Sequence, residues 1–256
     1  MRVLISIVTV TYNNSAGLRK TIESVRQQSY PWLEFIVIDG GSHDDSVNVI
    51  ASNSDVISTW RSESDEGIYD AMNKGISLAC GEWIIFMNAG DTFYNPQSLS
   101  RLFDLNTNVD ADVLYGDHYV VDAKRRNGHR VALLPEHYHT GMICCHQSML
   151  FNRTCFDERS FSCDFDESGD YEFLLYLLRS KKRLYKIDEI VSVFTGGGVS
   201  DTNRVSTVKN GIKALRANDM LGFRSALGFS WLYFRAILFQ LYSKFESSFL
   251  KGGSIN

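Results

Sequence analysis

The 256-residue chain is 44% hydrophobic and 22% charged, ordinary globular proportions that exclude a disordered or fibrous protein and allow one substantial core. Three prolines leave no proline-rich linker, and a net charge of −4 with no arginine-rich patch over the bulk of the chain excludes general nucleic-acid binding. The charge is uneven, because residues 203–251 hold eight Lys/Arg against two acids while residues 1–202 hold 18 against 28.

Short β-branched runs alternate with helix-period stretches, the pattern of a mostly parallel sheet flanked by helices. Val3 to Tyr12 reads as a buried first strand, and Ser15 as the cap of a helix with Leu18, Ile22 and Val25 on one face, ending before Pro31. Glu34 to Asp39 is strand two, followed by a Gly40-Gly41-Ser42 turn and a short helix that Asp44 and Asp45 open. Val56 to Trp60 is strand three. Residues 67–79 place Ile68, Ala71, Met72, Ile76 and Ala79 on one helical stripe, and Glu82 to Met87 is strand four. Pro96 opens a helix carrying Leu99, Leu102 and Phe103. Val113 to Val121 is a strand that Asn127-Gly128 pairs with Arg130 to Leu134 as a two-residue hairpin. Residues 169–179 make a helix, Leu184 to Phe194 a strand, and Gly196-Gly197-Gly198 a stop. The five cysteines are odd in number and unpatterned, and the N-terminus lacks a basic-then-apolar leader, so a reducing, cytoplasmic location is expected.

Open α/β sheets bind ligands beyond the carboxyl ends of their strands. The first four strands end in, or are followed by, Thr11-Tyr12-Asn13, Asp39-Gly40-Gly41-Ser42, Asp65-Glu66-Gly67 and Asn88-Ala89-Gly90-Asp91. Any one of these acids could cap a turn or helix. Together they would repel one another unless a ligand or cation joined them, so the cluster points to a binding edge.

The stretches TVTYN, VIDGGSHDDS, SDEGIYDAMNKG and FMNAGD, in this order, followed by HQSMLF and GDYEF, resemble the inverting family 2 glycosyltransferases of GT-A fold, of the bacterial polysaccharide-biosynthesis type. The resemblance covers about residues 1–200. It implies a Rossmann-like, mostly parallel mixed sheet with flanking helices over residues 1–202, a nucleotide-sugar half at 1–92 and an acceptor half at 93–202, with a C-terminal helical extension at 203–256. Thr11, Tyr12, Asn13, Asp39, Gly41, Asp65 and Asn88 would line the donor site, Tyr12 stacking on the nucleoside and Asp39 accepting its donors. Asp91 would ligate a divalent cation, Mn²⁺ or Mg²⁺, on the diphosphate. The family has acids at the positions of Asn88 and Gly90, which leaves Asp91 as the single carboxylate and a cation completed mostly by phosphate oxygens and water. Asp170 would be the catalytic base, with Glu167 and Glu172 its nearest acidic competitors. His146 and Gln147 would line the sugar or acceptor pocket.

His137, His139, Cys144, Cys145 and His146 raise a zinc site, but their spacing fits no common zinc pattern, and the two cysteines read as small packed hydrophobes. The glycine run before Val199 is either a plain turn or a lid over the diphosphate, with Arg204 supplying charge. Leu221 to Leu250 is aromatic and interrupted by Arg224, Arg235, Lys244 and Glu246, so it is too broken to span a bilayer. It reads either as an interfacial helix that inserts Phe229, Trp231, Phe234 and Phe239 at an anionic membrane surface or as a helix packed on the body or on a second copy. The function implied is transfer of a sugar from a UDP- or GDP-linked donor to a hydroxyl of a glycan or lipid-linked glycan, in a cytoplasmic protein peripheral to the inner face of the cell membrane. The rivals are a non-catalytic nucleotide-sugar-binding or scaffold protein and a nucleotidyltransferase, whose glycine-rich, arginine-bearing N-terminal loop is absent.

Overall fold

A computed structural model describes residues 3–104, 109–122, 127–196 and 204–252, with the side chains of 103–104, 204 and 239–252 outside that description. Its strands are β1 (Ile5–Thr11), β2 (Leu33–Asp39), β3 (Thr59–Ser62), β4 (Trp83–Phe86), β5 (Thr92–Phe93), β6 (Val113–Val121), β7 (Gly128–Arg130), β8 (Met149–Asn152) and β9 (Leu184–Thr195). They form one sheet in the order β3-β2-β1-β4-β8-β6-β9-β5, with β7 paired to β6. Strands β1 to β4 are mutually parallel and β8 runs against both β4 and β6. The helices are α1 (Ser15–Arg26), α2 (Ser46–Ala51), α3 (Ile68–Leu78), α4 (Ser98–Asp104), α5 (Gly169–Arg179), α6 (Arg204–Ala217) and α7 (Phe223–Gly252).

The period of two in the strands builds two cores, one on each face of the sheet. Ile5, Ile7, Phe35 and Val37 pack on one side with Leu18 and Ile22 of α1 and Leu99 of α4. Val8, Val10, Ile36 and Ile38 pack on the other with Met72 of α3, Phe173 of α5, Leu215 of α6 and Phe229 of α7. Burying each such side chain contributes about 1.5–3 kcal/mol, so the central strands are buried from both sides. The basic C-terminal stretch starts inside this core, since Ala214 and Leu215 are fully buried.

Several elements differ from the sequence expectation for identifiable reasons. Asn14, not Ser15, caps α1, its side chain accepting from Gly17 N. Val56 and Ile57 anchor the turn after α2, with both amides on the Asn53 carbonyl, so β3 starts later and forms an exposed edge. On α3 the buried face is Tyr69, Ala71, Met72 and Gly75, while Ile68 turns outward; Gly75 is required because a methyl there would strike Val8. The hairpin partner of β6 is only Gly128–Arg130, and Val120 faces Gly128. The connection is therefore longer than two residues, and Asn127 closes it by accepting from Asp122 N. β5 and β8 are too short to show a period in the sequence.

The largest correction concerns α7. Phe229, expected at a membrane surface, is 3% exposed, packed against Tyr171 with ring centroids 5.6 Å apart and the rings tilted by 33°. The Phe239 side chain lies outside the described residues. No helix among the described residues is long and apolar enough to cross a membrane.

Candidate functional site

The register aligns the carboxyl ends of the parallel strands, Thr11 opposite Asp39 and Asp39 opposite Ser62, so the segments after them open on one edge. Because β8 runs the opposite way, the segment entering it, Cys145-His146-Gln147, arrives at this same edge. α3 and α5 bring residues of their first turns, Tyr69 and Asp170, there too. Together they line a cleft of about 1040 Å³ that also includes Thr11, Tyr12, Asp65, Asn88 and Asp91.

Asp91 lies at the cleft floor, 5% exposed. Thr195 N donates to its Oδ1 at 2.8 Å and Gln147 Nε2 to its Oδ2 at 2.6 Å, so this one carboxylate ties β9 and the approach to β8 to the loop after β4. Burial raises its pKa to about 6 against those two hydrogen bonds. Gly90, just before it, has φ +111°, which an aspartate would adopt only under strain.

Three residues that line the cleft, Thr11, Asn88 and Gln147, each carry a side-chain oxygen (Oγ1, Oδ1 and Oε1) buried without a hydrogen-bond partner. Each such atom costs about 1–3 kcal/mol, which a ligand rich in hydroxyl or amide donors, or a cation, would recover. On the rim Tyr12 is 61% exposed. Gly40 allows Asp65 to approach it, since a methyl at Gly40 would strike the Asp65 carboxylate and touch the Tyr12 ring.

Asp170 is held by three elements. Tyr69 Oη and Tyr171 N donate to its Oδ1 at 3.1 and 2.8 Å, and His146 Nδ1 donates to its Oδ2 at 3.2 Å. The far ring nitrogen of His146 lies 3.1 Å from Asn88 Nδ2, which links the base candidate to the donor-side edge. Burial, reinforced by the facing Asp170 carboxylate, raises the Tyr69 pKa well above its ordinary value, so Tyr69 remains a donor. Glu172, a competitor for the base, is buried between Arg159 and Asn218 and is committed there. Glu167 and Asp166 line the cleft.

Not every expected residue reaches the cleft. Asp39 is fully buried and accepts from Ser42 N, Ser42 Oγ and Ser62 Oγ. Asn13, at φ +48°, donates its amide to Ser42 Oγ and accepts from His43 N. With Gly41, at φ +78°, they knot the turns after β1 and β2 together, outside the cleft lining. The Arg204 side chain and residues 197–200 of the glycine segment lie outside the described residues. Conversely, sequence reasoning missed Tyr69, Gly40 and Thr195 as site residues. Tyr69 sits in the quoted SDEGIYDAMNKG stretch, where the expected stripe shares Ala71 and Met72 with the buried face but has Ile68 in place of Tyr69.

For a divalent cation the fit is partial. Asp91 keeps a lone pair on each oxygen, and the unpartnered amide oxygens of Asn88 and Gln147 are hard donors, yet the floor offers one formal charge. Such a set suits a cation that arrives with a diphosphate, not a preformed cage, and no cluster of three or more His, Cys, Asp or Glu side chains arranged for a metal occurs among the described residues. His137 and His139 stack on each other, His146 faces Asp170, and Cys144 is buried in the core.

Comparison with known proteins identifies the fold and the family. An uncharacterized glycosyltransferase of Mycobacterium tuberculosis is 32% identical over 176 residues, 67% of each chain. A PGL/p-HBAD biosynthesis glycosyltransferase of Mycobacterium bovis is 27% identical over 228 residues, 86% of this chain and 87% of that one. Among solved structures, a mannosyltransferase of Pyrobaculum calidifontis in complex with GDP-Man and Mn²⁺ superposes with TM-score 0.68 at 14% identity, over 87% of this chain and 66% of that one. Residues 1–349 of S. aureus TarS in complex with UDP-GlcNAc give TM-score 0.68 at 16% identity, over 84% and 65%. The fold is the mixed α/β sheet of the GT-A glycosyltransferases. Residues 6–169 match the profile described as Glycosyl transferase family 2, and the chain belongs to that family.

Proposed function

We propose that this glycosyltransferase moves one hexose from a UDP- or GDP-linked donor to a hydroxyl of a glycan or lipid-linked glycan in bacterial surface polysaccharide synthesis, with inversion. The observation that carries the reading is the convergence of unpartnered Thr11, Asn88 and Gln147 oxygens with a half-buried Asp170 carboxylate in one cleft. The orphan oxygens suit sugar and ribose hydroxyls, and Tyr12 and Asp65 on the rim suit the nucleoside. Asp39, Asn13 and Gly41 support the donor site from behind.

Asp170 takes the proton of the acceptor hydroxyl as that oxygen's electron pair attacks the anomeric carbon. The bond from that carbon to the diphosphate breaks and its electrons leave with the nucleoside diphosphate. One displacement inverts the centre. Tyr69 and His146 hold Asp170 in place, and His146 extends that hold to Asn88 beside the sugar. A divalent cation, when bound with the donor, would rest on Asp91 and the Asn88 and Gln147 amide oxygens and would neutralise charge on the leaving diphosphate. A peripheral position on the inner face of the cell membrane completes the reading.

The test is a panel of nucleotide-sugars with and without Mn²⁺, first for thermal stabilisation, which a ligand of the folded state produces, then for turnover with acceptor. Release of free nucleoside diphosphate supports transfer. Release of pyrophosphate, or stabilisation without turnover for any donor, overturns it in favour of nucleotidyl exchange or a binder.

A further inference from the structure

The described part of α7 has two apolar faces, and the fold uses one. Ser225, Phe229 and Ala236 are buried, with Phe229 in the core beside α5 and α6. Phe223, Leu227, Trp231, Phe234 and Leu238 are exposed, Phe223 at 80% and Trp231 at 60%. Their spacing of four, four, three and four residues keeps them on one stripe, about 22 Å long at the helical rise and roughly opposite the buried face. Arg224 and Arg235, eleven residues apart and both exposed, fall together on one flank. No acid occurs between residues 223 and 238, although the whole chain carries a net charge of −4.

We propose that this stripe, with its arginine flank, docks the protein on an anionic lipid surface, α7 lying in the plane of the headgroups. A second copy of the chain fits less well. The stripe has a coiled-coil rhythm, but three of its five positions are Phe or Trp, where a seam favours Leu, Ile and Val. Its flanks also offer a partner helix no acid to pair with Arg224 and Arg235, whereas anionic headgroups supply that charge, and aromatic rings suit the boundary between headgroups and acyl chains. The surface deepens the reading of a membrane-linked acceptor and rests on it. Phe229, on the buried side of the same helix, packs against Tyr171, the neighbour of Asp170. The docking face therefore lies about one helix diameter, some 10–12 Å, from the residue beside the base, close enough for a lipid-carried acceptor to reach the cleft.

The experiment is sedimentation of the full chain with vesicles of phosphatidylglycerol and phosphatidylcholine, and with phosphatidylcholine alone. Wild type should pellet with the anionic vesicles and be released by high salt. Trp231→Ser with Phe234→Ser, and separately Arg224→Gln with Arg235→Gln, should each bind at least about tenfold more weakly, while donor-induced thermal stabilisation and release of nucleoside diphosphate with a soluble acceptor stay unchanged. Wild type left in the supernatant with anionic vesicles at low salt overturns the proposal, as does equal binding by the variants. So does a dimer in analytical ultracentrifugation that Trp231→Ser dissociates, which would assign the face to a second copy. Turnover on a soluble acceptor tests the enzymatic reading separately, so either can fail alone.

Discussion

The two sides of the cleft use their carboxylates in opposite ways. On the strand-end side, Asp39 and Asp91 are 0% and 5% exposed, and every carboxylate oxygen accepts from a donor of the fold itself, mostly a backbone amide or serine hydroxyl of a neighbouring loop. On the acceptor side, the Asp170 side chain keeps 17% of its surface and is gripped mainly by two side chains, Tyr69 and His146, from separate elements. A carboxylate that satisfies backbone amides at a strand end holds loops in place. One positioned by side chains from several elements, with a solvent-facing edge, is placed to exchange a proton. Three acids that look alike in sequence thus divide into two that fasten loops and one placed to work on a proton.

The pair Asp170→Asn and Asp39→Asn breaks or upholds this division, and it carries the largest expected effect. Asp170→Asn keeps shape and removes the proton acceptor, so turnover should fall about 10²-fold or more with donor affinity and melting temperature little changed. Asp39→Asn should cost about 1–3 kcal/mol of stability through its weakened hydrogen bonds and leave the turnover of folded protein near wild type. The reverse pattern, read by kinetics and thermal unfolding side by side, would sink the distinction.

Asp91 sharpens it by a pH difference. Its folded pKa of about 6 lies above the unfolded carboxyl value near 3.9, so its contribution to stability is fully present below about pH 4 and is lost as pH rises through about 6. Asp44, lowered to about 2 by its hydrogen bonds to Ser46 and Ser15, works in the opposite direction, so the comparison must be made against a variant. Asp91→Asn lacks the titration, and its new amide can face Gln147 Oε1, now unpartnered. Wild type should therefore lose about 2–3 kcal/mol relative to Asp91→Asn between pH 4 and pH 7. Parallel stability curves for the two proteins across that range would contradict the buried-fastener account.

Most of the sheet was legible in the sequence because parallel central strands must be apolar on both faces. β1, β2 and β4 therefore announce themselves, and Asp170 falls at the start of a helix whose limits match the reading. What escaped was set by contacts between distant segments. Nothing local to Phe229 says that it meets Tyr171 while Trp231, two residues on, faces out; only the docking of α7 against α6 and the 135–140 segment decides which apolar stripe is covered. Tyr69 escaped because Ile68 is a credible core residue, and only the close pass of Gly75 over Val8 rotates α3 to bury its neighbour. For Asp39 it is the bond from Ser62, 23 residues on, that the sequence does not announce, since an acid at a strand end serves a nucleoside or its own turn equally well.

The smallest effect tests the rim, where the strand-end side does offer an acid to solvent. Asp65 differs from Asp39 and Asp91 in lining the cleft, and among its bonds is one from Gly67 N to Oδ1 at 3.0 Å. What keeps it beside Tyr12 is the missing side chain at Gly40, whose backbone is not in the left-handed region, so alanine there costs no strain of its own. Gly40→Ala should push the Asp65 carboxylate aside and disturb the Tyr12 ring without touching Asp91 or Asp170. Donor affinity should then weaken about three- to tenfold, near 1 kcal/mol, with turnover at saturating donor and the melting temperature within error of wild type. Titration calorimetry with the best donor of the panel reads this directly. An unchanged affinity would mean that the nucleoside does not use this rim, and would leave the floor, with its three unpartnered oxygens, as the whole of the donor site.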